Sequence, residues 1–231
     1  MSTEVKIICD SINLSGTRLT TFELKYPRFI HAEFLTHRMV SRNASSSRAI
    51  PVKKIIEQVI TDPVIPIKWV KNQAGMQGYE ELEEDKRSSA LEEWLKARDN
   101  AVVQAEKLLA FGVHKQLVNR ILEPWHHIKV VATATEWANF FALRCHPMAE
   151  DNFQLLAQTM ADTYRSSLPD ANSYHLPYVS YHEKSNHTLT NCLKFSTARC
   201  ARVSYMNHDG SSPDLDKDKD LHDKLVAGEP L

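Results

Sequence analysis

Residues 36–51 read THRMVSRNASSSRAIP, and the distribution of charge around this stretch is the first guide to the fold and the function. No carboxylate occurs between Glu33 and Glu57, although the whole chain of 231 residues has a formal net charge of -1. Guanidinium groups bind phosphate bidentately and small residues let the backbone approach it, so this composition suits an anion site. A solvated, serine-rich loop is the alternative interpretation. The cationic residues are His37, Arg38, Arg42, Arg48, Lys53 and Lys54, and the neutral donors are Ser41, Asn43, Ser45, Ser46 and Ser47.

The sequence before this loop predicts two strands and a helix. Residues 5–9 and 19–24 are short runs of β-branched and aromatic residues with turn-forming residues between them, as in two strands joined by a turn. Over residues 28–40 the apolar side chains recur at helical spacing. We therefore expect His37 and Arg38 near the C-terminal end of a helix from which the serine-rich loop departs.

The sequence after the loop is mainly helical in pattern. Amphipathic periodicity predicts helices over residues 51–60, 88–111, 113–123, 137–144 and 149–167, and a buried strand over 130–135. This is more amphipathic helix than one small sheet can cover. The length of the chain favours a single domain over residues 1–231.

Composition restricts the class of partner. A mass of 26.4 kDa, a charged fraction of 25% and a pI near 6.8 describe an ordinary globular protein, without the bulk positive charge of a nucleic-acid-binding protein. A small-molecule partner is therefore expected. No run approaches 18 apolar residues and the N-terminus lacks a signal-peptide pattern, so we expect a cytoplasmic protein that does not enter membranes. The four scattered cysteines are expected to be reduced.

No metal site is predicted. The histidines do not stand at i, i+4 with a carboxylate in support, which a zinc-binding helix would require. Alternating aspartates over residues 214–220 resemble a calcium loop, but the glycine and the closing glutamate of such a loop are missing. A solvated loop before a helix is the expected structure there.

The order of residues in the loop resembles the signature of the flavin-dependent thymidylate synthases. In that family Arg-His-Arg is followed by spaced Ser, Asn, Ser and Arg, and this chain has His37-Arg38, then Ser41, Asn43, Ser46 and Arg48. Residues 112–124 (GVHKQLVNRILEP) and 133–144 (TATEWANFFALR) are similar to two further family segments, so the resemblance covers most of residues 20–165. Departures from the family pattern are Thr36 for the first Arg, Glu33 for a Gln and Ala44 for an acidic residue.

The resemblance implies an α+β fold with a small antiparallel sheet and several long helices, in a homotetramer whose sites lie between subunits. It also implies a reaction in which dUMP is methylated to dTMP, with methylenetetrahydrofolate as carbon donor, NADPH as reductant and FAD as cofactor. Arg144 is the implied catalytic residue, facing the pyrimidine. The implied substrate-binding residues are Glu33, Ser46, Ser47, Arg48, Arg120 and Arg144, and the implied FAD-binding residues are Thr36, His37, Arg38, Asn43, Thr133, Thr135 and Asn139.

The C-terminal part of the chain resembles the N-terminal segment of the same family. Residues 201–205 (ARVSY) carry this resemblance, so residues 185–231 are expected to be a permuted family segment. The family's following Ser-Pro-Phe-Glu-His stretch, which contributes to the flavin site, is not found after it, and flavin affinity is the property expected to differ. Because the substitutions at positions 33, 36 and 44 lie where nucleotide and flavin meet, three alternatives stay open. These are a dCMP methylase, a pyrimidine nucleotide hydroxymethylase, and a non-catalytic nucleotide-binding homologue.

Overall fold

The computed structural model describes residues 3–171, 174–203 and 214–228, and in those ranges the chain has the expected α+β class. Five strands form one sheet with the hydrogen-bonded order β3-β4-β2-β1-β5. The expected antiparallel pairing holds for β1 to β4, whereas β5 pairs with β1 in parallel, so the sheet is mixed. The strands are β1 (Glu4–Ile12), β2 (Arg18–Pro27), β3 (Ser41–Ala44), β4 (His127–Ala134) and β5 (Asp170–Ala171).

Nine α-helices lie within the described ranges. They are α1 (His31–Phe34), α2 (Val52–Thr61), α3 (Glu84–Ala110), α4 (Lys115–Val118), α5 (Ala138–Arg144), α6 (Asp151–Ser166), α7 (Tyr181–Asn186), α8 (Leu189–Ala201) and α9 (Leu215–Ala227). Two 3-10 helices, Arg28–Ile30 and Asn119–Trp125, complete the regular structure of these ranges. None of the helices described is long and apolar enough to cross a membrane.

The main core lies between one face of the sheet and helices α1, α5 and α6. Phe22 of β2 packs edge-on against Trp137 with ring centroids 5.1 Å apart. Phe34 of α1 packs in the same way against Phe140 of α5, at 5.9 Å. These rings are nearly or wholly buried, so the hydrophobic contact holds the end of α1 beside α5. A second core joins α2, α3 and residues 119–125, with Val59, Ala105 and Leu122 fully buried.

The predicted helix over residues 28–40 is wrong beyond Phe34. The chain forms a short 3-10 helix and α1, and residues 35–40 then turn without continuing the helix. The guanidinium of Arg42 donates hydrogen bonds to the carbonyl oxygens of Leu35, His37 and Val40 at 3.0, 3.1 and 2.9 Å. These carbonyls are satisfied by a side chain and not by helix amides. His37 therefore lies on a turn after the helix.

The predicted helix over residues 113–123 is also wrong in type. Only Lys115–Val118 is α-helical, and residues 119–125 form a 3-10 helix that includes Pro124. A proline removes one amide donor and clashes with an α-helical turn, whereas short 3-10 segments are frequent as connectors. Arg120 is consequently carried by a 3-10 turn.

Helices α7, α8 and α9 are joined by a buried network of ion pairs. Arg199 of α8 is 5% exposed and pairs with Glu183 of α7 at 2.6 Å and with Asp218 of α9 at 2.8 Å. Arg202 also binds Asp218, which is fully buried. The expected solvated loop at residues 214–220 is therefore wrong: Asp214 caps α9, and the other aspartates lie inside the helix.

The network predicts a loss of stability in acid. Hydrogen bonds from Arg199 are the main cause that lowers the pKa of Glu183 from 4.5 to about 2. Because the folded pKa is below the unfolded one, Glu183 stabilises the fold above pH 4.5 and this contribution is lost as the pH falls toward 2. We expect a lower urea midpoint at about pH 3 than at about pH 6, measured by circular dichroism, and a smaller difference in Glu183→Gln. An equal difference in the two proteins would exclude Glu183 as a source of the acid sensitivity.

Candidate functional site

Arg144 is the centre of a cluster that joins α5 to the turn after α1. Its guanidinium donates from Nη1 to Glu33 Oε2 at 3.0 Å, from Nε to His37 Nε2 at 2.8 Å and from Nη2 to Thr36 Oγ1 at 3.3 Å. His37 accepts through Nε2, which requires a neutral ring. Burial, followed by repulsion from Arg144 and Arg42, lowers the pKa of His37 and favours that neutral form. The structure thus brings together four residues that the sequence predicted for one site.

Aromatic rings fix the orientation of this cluster. The Arg144 guanidinium carbon lies 4.5 Å from the centroid of the Phe153 ring, in cation–π contact. The His37 ring packs edge-on against Phe140 at 4.8 Å. The Arg144 side chain is still 20% exposed, so a ligand can reach a charge that the protein has already oriented.

Strand β4 and the 3-10 helix at residues 119–125 hold the serine-rich loop in place through hydrogen bonds. Ser45 exchanges hydrogen bonds with the backbone of Lys129 in β4, at 2.8 and 3.1 Å. The amide nitrogen of buried Asn119 donates to the carbonyl oxygens of Ser47 and Ile50 at 2.6 and 2.9 Å. A loop whose backbone groups are satisfied in this way has a defined shape. This shape leaves the side chain of Arg48 exposed to solvent.

Glu123 connects the loop to Arg120. Its Oε1 accepts from the Ser47 hydroxyl at 2.8 Å and from Arg120 Nη1 at 3.0 Å, and it forms an ion pair with Arg28 Nε at 3.1 Å. Ser47 is 1% exposed and its hydroxyl serves Glu123, whereas Ser46 is only half-buried. Arg28 and Glu123 were missed by sequence reasoning.

A cavity of about 780 Å³ lies beside these residues. Arg28, Arg120 and Glu123 line it together with His31, Trp94 and Glu150. Burial, assisted by Arg28 and Arg42, lowers the pKa of His31 to about 4, so its ring is neutral at pH 7. Burial is also the main cause that raises the pKa of Glu150, and Glu33 adds to this effect. The cavity therefore combines guanidinium groups, a neutral imidazole and an aromatic wall, a set of groups that can bind a phosphorylated planar ligand.

The remaining predicted FAD-binding residues either form hydrogen bonds with other elements or are exposed. The Asn43 amide donates to the carbonyl oxygens of Cys200 and Ala201 at the end of α8, at 2.9 and 2.8 Å. Thr133 Oγ1 lies 2.7 Å from Thr21 Oγ1 on the neighbouring strand. Arg38, Thr135 and Asn139 are exposed, and in the described ranges Arg38 takes part in no ion pair. Their predicted contacts with FAD stay predictions.

Comparison with known sequences identifies the family. A family model described as "Thymidylate synthase complementing protein" matches residues 18–170. The chain belongs to this family. The resemblance drawn from the loop signature is thereby confirmed, and the match includes the whole Arg144 cluster, the serine-rich loop and Arg120. The expected permuted segment of the thymidylate synthase complementing protein family, residues 185–231, lies outside the match and stays a prediction. Residues 204 and 205 of its ARVSY motif lie outside the described residues.

A solved structure shares the fold of this family member. It is the crystal structure of a UMP/dUMP methylase, PolB, from Streptomyces cacaoi bound with 5-Br UMP, with a TM-score of 0.57 and 15% sequence identity. The alignment covers 71% of this chain and 88% of that chain. At this identity the likeness shows a common fold. No curated protein sequence matches the chain.

Proposed function

We propose that this protein methylates dUMP at C5, with methylenetetrahydrofolate as carbon donor, NADPH as reductant and FAD as cofactor. The observation that carries the proposal is the Arg144 cluster, because it unites residues from two separate segments that resemble the family. Membership of the thymidylate synthase complementing protein family supports nucleotide methylation. The UMP/dUMP methylase with the same fold supports a pyrimidine nucleotide as the substrate class.

Arg144 is proposed to stabilise the pyrimidine ring as it gains negative charge. A guanidinium stays protonated at all working pH values and donates in a fixed plane. Three hydrogen-bond acceptors and the Phe153 ring already hold that plane, so little reorganisation accompanies the reaction. Its contribution is electrostatic, without a covalent bond to the substrate.

The nucleotide phosphate is proposed to bind at the serine-rich loop and Arg120. Arg48 and Arg120 are exposed cations, and half-buried Ser46 carries a hydroxyl two residues before Arg48 in the loop. A serine acts as a nucleophile only with a base beside it, so Ser46 is assigned to binding. Buried Ser47 contributes through its backbone and through the loop shape that its hydroxyl fixes with Glu123.

The exposed donors fit a flavin. Arg38 is a solvent-exposed guanidinium, and Asn139 and Thr135 offer an exposed amide and hydroxyl, which suit the diphosphate and the ring edges of FAD. His37, Thr36, Asn43 and Thr133 complete the proposed set. When bound and reduced, the flavin supplies the hydride that completes the methyl group.

Flavin retention tests the proposal. The purified protein is saturated with FAD, the excess is removed, and the visible absorption spectrum is recorded. We expect the absorption band to correspond to about one flavin per chain. The double variant Asn139→Ala/Arg38→Gln should lose this band, and the control variant Arg165→Gln, at an exposed position, should retain it. A wild-type protein that retains no flavin and makes no product from dUMP would overturn the catalytic proposal in favour of a non-catalytic nucleotide-binding homologue.

One observation favours dCMP as a second candidate substrate. Glu33 stands where the family has Gln, and its carboxylate accepts a hydrogen bond from Arg144 through Oε2. A carboxylate only accepts, whereas an amide also donates. Cytosine presents an amino donor where uracil presents a carbonyl acceptor. Mass analysis of the nucleotides made from dUMP and from dCMP separates the two substrates, and it also separates a methylated product from a hydroxymethylated one.

A homotetramer is part of the proposal. Met39 and Leu143, which are next to the predicted site residues Arg38 and Arg144, are 91% and 55% exposed. Apolar side chains so close to a predicted site fit burial against a second copy of the chain. Light scattering measures the mass of the assembly, and a monomer that turns over dUMP would overturn the shared site.

A further inference from the structure

Arg28 and Arg120 are held together by a single carboxylate oxygen. The Nη1 atom of Arg120 and the hydroxyl of Ser47 donate to Glu123 Oε1 at 3.0 and 2.8 Å, and the Nε atom of Arg28 forms an ion pair with the same oxygen at 3.1 Å. Two arginines that share one acceptor atom lie within reach of one phosphate group. Glu123 thus places the serine-rich loop, Arg120 and Arg28 in fixed relation to each other.

The positive charge beside Glu123 exceeds the negative charge of this one carboxylate. Two guanidinium groups face one carboxylate, and both arginines line the cavity of about 780 Å³. The Nη1 atom of Arg28 is buried and has no hydrogen-bond partner in the part of the chain that the structure describes. A buried donor without a partner costs free energy, and a ligand oxygen would remove that cost.

The other acidic groups of the cavity already have partners. Asp151 forms an ion pair with Lys68 at 2.6 Å. The carboxylate of Glu150 accepts from the Asn152 side chain at 2.6 Å and from the backbone nitrogen of Phe153 at 2.8 Å. These carboxylates are therefore engaged at the N-terminal end of α6, and in the described residues Arg28 and Arg120 have Glu123 as their shared ion-pair partner.

We propose that Arg28 is a direct ligand of the nucleotide phosphate, acting with Arg120 as a pair that Glu123 aligns. The inference rests on the proposed function, and it adds a residue outside the segments that carry the family resemblance. The phosphate accepts from both guanidinium groups, while Glu123 keeps its ion pair with the Nε atom of Arg28 and its hydrogen bond from Ser47. Glu123 acts here as a positioning residue.

The experiment compares binding of dUMP and of deoxyuridine, which lacks the phosphate, by calorimetry. Arg28→Gln is expected to weaken dUMP binding about 10- to 100-fold, the effect of one lost charge-assisted hydrogen bond, and to leave deoxyuridine binding unchanged. Arg28→Lys keeps the charge without the planar fork, so an intermediate loss is expected. The matched control is Arg87→Gln, because Arg87 pairs with Glu84 at i, i+3 near the start of α3 as Arg120 pairs with Glu123.

Three outcomes decide the inference. A loss specific to dUMP supports it, whereas equal dUMP binding by wild type and Arg28→Gln, with circular dichroism unchanged, overturns it. If Arg28→Gln does not fold, Arg28→Lys decides in the same way. If wild type does not bind dUMP, the proposed nucleotide function fails separately. Titration with inorganic phosphate then decides the anion site, because equal or absent phosphate binding by wild type and variant overturns the role of Arg28.

Discussion

Arg144→Gln is expected to lower kcat for dUMP methylation about 100- to 1,000-fold, the effect of removing one preorganised electrostatic group from a transition state. Glutamine retains hydrogen-bonding capacity but has no charge to stabilise a ring that becomes anionic. Because this interaction develops mainly in the transition state, kcat and kcat/KM should fall by similar factors. Steady-state turnover of the FAD-saturated protein, with dTMP measured by mass analysis, tests the effect.

Two controls separate charge stabilisation from loss of structure. Arg144→Lys should recover little activity, because one ammonium cannot satisfy Glu33, Thr36 and His37 in a fixed plane. Arg165→Gln, at an exposed position of α6 beside Asp162, should retain full turnover. Flavin absorption is measured for each variant because His37 contacts Arg144. An undiminished kcat in Arg144→Gln would show that Arg144 does not stabilise the transition state.

Asp218→Asn is expected to reduce the free energy of unfolding by about 3–5 kcal/mol, the typical cost of breaking a buried ion pair from one side. Asp218 is fully buried and accepts from both Arg199 and Arg202. Arg199 is nearly as buried, so the neutral amide leaves its positive charge without adequate compensation. The denaturation midpoint, followed by circular dichroism in urea, should fall accordingly.

The matched control for Asp218 lies on the same helix. Asp223 of α9 pairs with Lys194 of α8 at 2.6 Å, but its side chain is 59% exposed. Solvent screens such a pair, and Asp223→Asn should leave the midpoint nearly unchanged. Equal midpoints for wild type and Asp218→Asn would mean that Glu183 alone satisfies Arg199.

The sequence predicted the family better than it predicted the local backbone. The residues of the Arg144 cluster were assigned from the order of short segments, and the family match confirms the family, whereas the roles of these residues stay predictions. The end of α1 was misplaced because the apolar period continues to Met39, whereas Arg42 binds the carbonyls that a longer helix would have used. Competition between a side chain and backbone amides leaves no periodic signal.

Ion pairs between residues that are distant in the chain could not be predicted from the sequence either. The aspartates at 214–220 have the alternation of a loop, and only the packing of α9 against α8 shows that Asp218 neutralises Arg199. In the same way, Arg28 begins the 3-10 helix after β2 and Glu123 lies in a second 3-10 helix, with no local pattern that joins them. Ion pairs between remote segments depend on tertiary structure, which composition and spacing do not contain.

The Asn43 side chain has a thermodynamic consequence. It donates hydrogen bonds to the last two carbonyl oxygens of α8, and its own strand leads directly into Ser45 and Ser46. The end of α8 and the serine-rich loop are therefore connected through the same two hydrogen bonds. Two equilibria that share one contact are reciprocally coupled, so ligand binding at the loop and the stability of α8 are expected to change each other by the same free energy to the extent that both depend on the Asn43 hydrogen bonds. We therefore expect a variant that loosens the end of α8 to lower affinity at the loop.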